Sequence, residues 1–128
     1  MTTAEDRDEI LQVLYRYNHA FDSGDADEWA GTFTEDAVFN AAGRVMNGRE
    51  ELRTFAGGAG GGGRRHLLMN PVIDVEGDTA HVRAYVVLLR DGAIGAVGGY
   101  DDELARTAEG WRIAKRTFTV EQRADAPA

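Results

Sequence analysis

The sequence predicts an α+β fold, namely a cone-shaped α+β barrel in which three N-terminal helices pack on a strongly curved, mainly antiparallel sheet. Apolar residues recur with helical spacing as far as Phe55, whereas from Arg65 onward they alternate with the period of two that is typical of β-strands. Three short segments that place a glycine beside an acidic residue divide this second half into long runs, as hairpin turns would. A chain of 128 residues has the usual length of one domain, so residues 1–128 are expected to form a single domain.

The first helix is expected to begin at about Ala4, because Thr3 and Asp6 form a capping-box pattern and acidic residues fill the first turn. Gly24 is expected to end it. A single apolar stripe along the helix comprises Ile10, Val13, Leu14, Tyr17 and Phe21. The helix therefore packs one face against the rest of the domain.

Two further helices and a short strand follow. Asp25 is positioned to cap a second helix, which would carry Trp29 and Phe33 on one face. Residues 37–39 are apolar and are expected to form a short strand that leads into a loop. Asn47 would then mark the start of a third helix.

The second half of the chain is predicted to be a sheet. The segment Gly57–Gly63 holds six glycines in seven residues, which predicts a flexible loop. The β-rich runs after it are Arg65–Glu76, Thr79–Arg90, Ala93–Thr107 and Trp111–Gln122. Pro71 places the first run at a sheet edge or a bulge, and Gly98 and Gly99 indicate strong bending of the third. We expect a hollow between the bent sheet and the helices, and a frayed tail over residues 123–128.

Charge and composition exclude several classes of partner. With 22 acidic and 14 basic residues, the net charge of −8 disfavours binding to nucleic acid or to a membrane surface. The absence of cysteine excludes a disulfide framework, and the scattered positions of His19, His66 and His81 predict no metal site. Residues 1–9 have neither the basic start nor the apolar run of a signal peptide, so a cytoplasmic location is expected.

Two residues are candidates for acid–base chemistry. Asp22 lies in the last turn of the first helix, where the helix dipole disfavours a negative charge, so a functional role is one explanation for it. His66 opens the first long strand and precedes an apolar stretch, where an imidazole could act as a general base. The alternatives are that Asp22 is a solvated turn residue and that His66 is a polar residue at a strand start. Tyr17 is either a residue of the hollow or an ordinary core aromatic.

The same residues carry a resemblance to a known family. The motifs are Tyr17–Asp22 (YNHAFD), Gly24-Asp25, Trp29, Phe33–Phe39, Gly48-Arg49-Glu50, His66, Gly77-Asp78, Gly99–Asp102, Gly110–Ile113 and Arg116. With these motifs, spread over nearly the whole length, the chain resembles the SnoaL-like branch of the nuclear transport factor 2-like superfamily. The nearest pattern is that of the scytalone dehydratase and bile-acid dehydratase relatives, in which a helix tyrosine, an aspartate five residues on and a strand histidine form the site.

The resemblance implies roles for individual residues. Asp22 would orient and charge-stabilise His66, which would remove a proton next to a carbonyl, while Tyr17 would polarise a substrate oxygen. Residues expected to contact substrate are Arg116, Tyr100, Trp29, Phe33 and Met69. The family's dehydratases carry a second acidic or imidazole group on the following strand, whereas residues 86–89 here are apolar. The reaction type therefore stays open among dehydration, isomerisation and cyclisation.

These observations predict a cofactor-free enzyme that abstracts a proton from a small, apolar, oxygenated molecule. The alternative is a non-catalytic ligand-binding or scaffold module of the same fold. Position of Asp22 and His66 inside the hollow would favour the enzyme, and position outside would favour the module. A homodimer formed through the convex sheet face is also expected, because apolar residues around Tyr85–Leu89 occupy both faces of their strand.

Overall fold

Three helices flank one six-stranded mixed sheet in the computed structural model, which describes residues 2–124, and the third helix follows the first two strands instead of preceding the sheet. In chain order the elements are α1 (Thr3–Ser23), α2 (Ala26–Gly31), β1 (Phe33–Ala41), β2 (Arg44–Asn47), α3 (Gly48–Ala59), β3 (Arg64–Glu76), β4 (Thr79–Arg90), β5 (Ala93–Thr107) and β6 (Gly110–Arg123). The strand order is β2-β1-β6-β5-β4-β3, and only the β1–β6 pair is parallel. The predicted α+β class with a mainly antiparallel sheet is confirmed.

The capping box of α1 lies one residue earlier than predicted. The Thr2 hydroxyl accepts from the backbone N–H of Glu5 at 3.1 Å, and the Glu5 carboxylate accepts from the Thr2 N–H at 2.7 Å. The expected Thr3–Asp6 box is wrong because the Asp6 carboxylate is used elsewhere, accepting from the indole N–H of Trp111 at 3.1 Å. Gly24 ends the helix in the left-handed conformation, as predicted.

The segment between α2 and α3 is a hairpin and not a short strand with a loop. Strand β1 begins at Phe33, which the helical spacing from Trp29 had placed in the second helix; α2 ends at Gly31 instead. Phe33 pairs with Ile113 of β6 in a parallel register. Ile113 lies far from Phe33 in the sequence, so a local sequence pattern gives no sign of this pairing.

The glycine-rich segment is partly helical. Helix α3 continues through Gly57 and Gly58 to Ala59, so the irregular connection is limited to residues 60–63, and the prediction of a loop over all seven residues is wrong. The backbone N–H of Gly61 donates to the Phe21 carbonyl at 2.7 Å. The connection is thereby fastened to the C-terminal turn of α1.

The long strands agree with their predicted limits to within one or two residues. Pro71 lies on the edge strand β3, at a register shift between Met69 and Val72, so both parts of its prediction hold. A further register shift separates Val97 from Gly98 in the β5–β6 pair, beside the glycines predicted to bend β5. Such bulges increase local twist and curvature.

The β6 strand also runs farther than predicted. Arg123 pairs with Ala96 of β5, so it is a strand residue and not part of a frayed tail. The backbone N–H of Ala124 also donates to the Gly95 carbonyl at 3.1 Å, and residues 125–128 of the predicted tail lie outside the described part of the chain. Of the helices within residues 2–124, none is long and apolar enough to span a membrane.

The hydrophobic core fills the space between the helices and the inner face of the sheet. Trp29, Phe33 and Trp111 are fully buried there, and α1 adds its predicted stripe from Ile10 to Phe21. Tyr17 and Phe21 contact the Trp29 ring, each at a centroid distance of 5.2 Å. These aromatic contacts fix the C-terminal half of α1 against the sheet.

Candidate active site

A pocket of about 250 Å³ lies between the helices and the inner face of the sheet, and it is called the central pocket below. Its lining residues are Tyr17, Phe21, Phe39, Ala41, Ala42, Phe55, His66, Val86, Leu88, Ala96, Gly98, Tyr100, Phe118 and Arg123. Most of these side chains are apolar. The ionisable groups among them are two phenols, one imidazole and one guanidinium, so the pocket suits an apolar molecule with a few oxygen atoms.

Asp22 and His66 form a hydrogen-bonded pair at the wall of this pocket. The Oδ1 atom of Asp22 lies 2.5 Å from Nδ1 of His66, and Oδ2 accepts from the backbone N–H of His66 at 2.8 Å. The side chains are 9% and 16% exposed, respectively. A carboxylate only accepts, so Nδ1 carries the shared proton, and in the neutral form of the imidazole Nε2 has a lone pair. Within residues 2–124, Nε2 has no hydrogen-bond partner, and it is therefore available to a substrate.

Local structure explains why two residues 44 apart in sequence meet. Gly24 ends α1 two residues after Asp22, and the Gly61 bond to Phe21 holds the glycine connection beside that turn. Strand β3 then starts at Arg64 and brings His66 alongside α1. The Phe21 ring packs edge-on against the imidazole at a centroid distance of 5.5 Å, which limits the rotation of His66.

The pair also separates the central pocket from a second cavity. This outer groove of about 600 Å³ lies between α1 and β3, and its lining includes Asn18, His19, Asp22, Ser23 and His66. His66 lines both cavities, whereas Asp22 lines the outer groove and not the central pocket. The imidazole thus borders both cavities, while the carboxylate is reached from the outer groove.

Tyr17 and Tyr100 form part of the pocket wall, and both rings pack against Arg116, which forms a buried ion pair with Asp102. Their ring centroids are 6.1 Å apart, and the guanidinium carbon of Arg116 lies 4.4 Å and 3.6 Å from the two rings. Arg116 donates to both carboxylate oxygens of Asp102, at 2.7 and 2.8 Å, and both side chains are buried. The arrangement places a fixed positive charge behind the two phenols.

The pKa directions follow from this burial. Desolvation raises the pKa of the Tyr17 hydroxyl, and it raises that of Tyr100 well above its ordinary value. Burial alone would lower the pKa of Arg116, but the charge and hydrogen bonds of Asp102 outweigh it and raise the pKa. At neutral pH both phenols are therefore protonated hydrogen-bond donors, and Arg116 is a cation.

Four of the residues expected to contact substrate do not line the central pocket. Arg116 lies behind Tyr17 and Tyr100, and Trp29 and Phe33 are fully buried core residues. Met69 is 44% exposed, because it alternates with the less exposed His66 and Leu68 on β3, and it lines the outer groove. Tyr100 is in the expected place.

Two residues were missed by the sequence analysis. Asp102 is fully buried, and its position two residues after Tyr100 on the same strand is a signal that was available, since alternate residues share a face. Arg123 lines the central pocket although simple alternation from Phe118 would turn it outward. Among residues 2–124, no three histidine, aspartate or glutamate side chains converge as a metal-binding group.

Comparisons with known proteins show which proteins this chain is similar to. The SnoaL-like domain family matches residues 2–117. A Mycobacterium tuberculosis protein of uncharacterised function is 32% identical over 124 residues, covering 89% of this chain and 84% of that protein.

Two solved structures share the fold. A nuclear transport factor 2-like protein with a cystatin-like fold from Novosphingobium aromaticivorans has a TM-score of 0.82 and 30% identity, covering 98% of this chain and 86% of its own. A Catenulispora acidiphila protein, solved in complex with S-DNPA, has a TM-score of 0.80 and 29% identity, with 92% and 95% coverage.

Proposed function

The chain belongs to the SnoaL-like domain family, and on that premise we propose that it is a cofactor-free enzyme that abstracts a proton beside a carbonyl group. Its substrate would be a small, largely apolar, oxygenated molecule. The observation that carries the proposal is the 2.5 Å contact between Asp22 Oδ1 and His66 Nδ1 at the wall of an apolar pocket. A partly buried carboxylate–imidazole pair with one free nitrogen can act as a general base.

In this mechanism His66 Nε2 takes a proton from the carbon next to the substrate carbonyl. The Asp22 carboxylate stabilises the imidazolium that forms, and its second oxygen holds the His66 backbone in place. The electron pair moves onto the carbonyl oxygen, where the hydroxyls of Tyr17 and Tyr100 donate hydrogen bonds. Asp22 acts through His66 and is a positioning residue.

The proton then has to leave the imidazolium. Strand β4 contributes Val86 and Leu88 to the central pocket, so it offers no second acid. His66 would therefore return the proton itself. In an isomerisation the proton goes to carbon, in a ring closure it goes to the oxygen of the second carbonyl that the enolate carbon attacks, and in a dehydration it goes to a departing hydroxyl on the same face of the substrate. The proposal covers these three outcomes as one class, because they share the enolate step.

Hydrogen exchange tests this step without knowledge of the natural substrate. The protein is incubated with 1-tetralone in D₂O, and loss of the proton signal beside the carbonyl is followed by NMR. Exchange above the buffer rate is expected, and His66→Ala should lower it by roughly 10²- to 10⁴-fold. His81→Ala is the matched control, because His81 pairs with Asp101 at 2.8 Å on the surface.

The outcome separates the enzyme from its alternative. Tyr17→Phe should cost less than His66→Ala, because it removes one hydrogen-bond donor and leaves the base intact. If calorimetry shows that 1-tetralone binds while exchange stays at the buffer rate, the chain is a ligand-binding module and the enzymatic proposal fails.

A further inference from the structure

Arg123 is the one guanidinium that lines the central pocket, and it does so because of a bulge in β6. Tyr100 pairs with Phe118 and Gly98 pairs with Val120, but Ala96 pairs with Arg123, three residues beyond Val120. The extra residue lies at the register shift between Val97 and Gly98. Directly opposed residues on neighbouring strands share a face, so the bulge turns Arg123 to the inner side with Ala96.

The charge of Arg123 is uncompensated within residues 2–124. The lining of the central pocket includes no aspartate or glutamate among the described residues, and Arg123 has no hydrogen-bond or ion-pair partner there. A second guanidinium, that of Arg44, lies 5.0 Å from the ring of the lining residue Phe55. Although the net charge of the chain is −8, Arg123 places a positive charge in the lining of the central pocket, and Arg44 places another beside the lining residue Phe55.

The distance between Arg123 and the two phenols determines how long a molecule must be to contact both. Its partner Ala96 and the pocket residue Tyr100 are four residues apart on β5, which is about 13 Å at roughly 3.3 Å per residue. Between them the lining is apolar, from Gly98 and Phe118. Arg123 and Ala42 are exposed, so this end is the pocket mouth.

We propose that the ligand of the central pocket is an organic carboxylate, with its ring system inside and its carboxylate on Arg123 at the mouth. The inference rests on the proposed function in that both use the same pocket, and it adds the charge and polarity of the substrate. An oxygen near Tyr17 and Tyr100 would occupy the inner end of the same molecule. Arginine suits this role because its planar fork binds a carboxylate through two hydrogen bonds.

Calorimetric titration with a matched pair of probes tests the proposal. Sodium 2-naphthoate carries the carboxylate, and 2-naphthamide has the same ring system without charge. The wild type should bind naphthoate more tightly, and Arg123→Gln should weaken that binding roughly three- to tenfold, as expected for a partly exposed ion pair. Binding of naphthamide should be unchanged by the substitution.

Controls remove the effect of overall charge. Arg7→Gln makes the same change in net charge on an exposed residue outside the central pocket and should leave both affinities unchanged. Arg123→Lys should retain part of the preference, and 0.5 M salt should weaken naphthoate alone.

The outcomes distinguish this inference from the proposed function. Equal binding of both probes to the wild type, or a preference for naphthoate that survives Arg123→Gln, overturns the carboxylate assignment while the pocket and its base stand. Failure of both probes to bind counts against the central pocket as a ligand site, and the proposed function then falls with the inference.

Discussion

Asp22 presents both carboxylate oxygens to His66, one to the ring at 2.5 Å and one to the backbone N–H at 2.8 Å. The double contact fixes the ring orientation and the strand at once. An asparagine has one acceptor and one donor in place of two acceptors. With its oxygen on the backbone N–H, an amide at position 22 turns its NH₂ group toward Nδ1, and this contact is satisfied only if the imidazole carries its proton on Nε2.

Asp22→Asn is accordingly expected to reduce activity and stability together. Exchange of 1-tetralone protons should fall by roughly 10²- to 10⁴-fold, because Nε2 then carries the proton, and the free energy of unfolding should fall by about 1 kcal/mol, because neutral hydrogen bonds replace charge-assisted ones. Urea unfolding measures the second quantity. Asp101→Asn is the matched control, because its partner His81 is exposed, and wild-type behaviour of Asp22→Asn would refute the role of the carboxylate.

The buried ion pair between Arg116 and Asp102 should make the stability of the fold sensitive to loss of either partner. Asp102→Ala leaves the Arg116 charge buried without its partner, and we expect a loss of about 3–5 kcal/mol in the free energy of unfolding. The double variant Asp102→Leu with Arg116→Met should recover much of that loss, because the uncompensated charge is removed. A double variant less stable than Asp102→Ala would show that the pair itself is strongly stabilising.

Substitution by alanine at two nearby glycines, Gly58 and Gly60, should change the stability of the fold in opposite directions. A Cβ atom on Gly60 would lie 2.7 Å from the Ala56 carbonyl oxygen, whereas one on Gly58, inside α3, meets nothing within 4 Å. Gly60→Ala should therefore destabilise the fold and disturb the adjacent end of α1, while Gly58→Ala should stabilise by about 0.5–1 kcal/mol. Thermal unfolding of both variants checks the contrast, and a stabilising Gly60→Ala would contradict it.

The outer face of the sheet is expected to form the interface of a homodimer. Tyr85 is 58% exposed and Val72 is 48% exposed, and both line a shallow depression on this face. Sedimentation equilibrium at micromolar concentration should give twice the chain mass, and Tyr85→Asp should shift it toward the monomer. Tyr15→Asp, at an exposed tyrosine on α1, is the control. A monomeric wild type would refute the expectation.

How far the sequence predicted this molecule depends on the range of the contacts involved. The limits of β3 to β6 follow from alternation and turn residues, which are local signals, and the Asp22–His66 site followed from the helix dipole and the family resemblance. Phe33 was misassigned because its parallel partner on β6 is remote and its spacing from Trp29 fits a helix. Arg123 was missed because one extra residue in β6 reverses the alternation beyond it.

Asp6 should make the fold sensitive to acid. Its buried carboxylate accepts from Arg106 at 2.9 Å and from the Trp111 indole at 3.1 Å, and the Arg106 bond, with help from the indole, holds the pKa of Asp6 below its ordinary value despite burial. A folded pKa below the unfolded one contributes stability that is fully present above the unfolded pKa, about 3.9, and is lost as pH falls through the folded value. Asp6→Asn should therefore lower the free energy of unfolding at pH 7 and flatten its decline in acid.

Urea unfolding at a series of pH values between 7 and 3 measures both effects. Asp8→Asn, on the exposed side of the same helix, should leave the curve unchanged, and a decline in acid as steep for Asp6→Asn as for the wild type would refute the assignment.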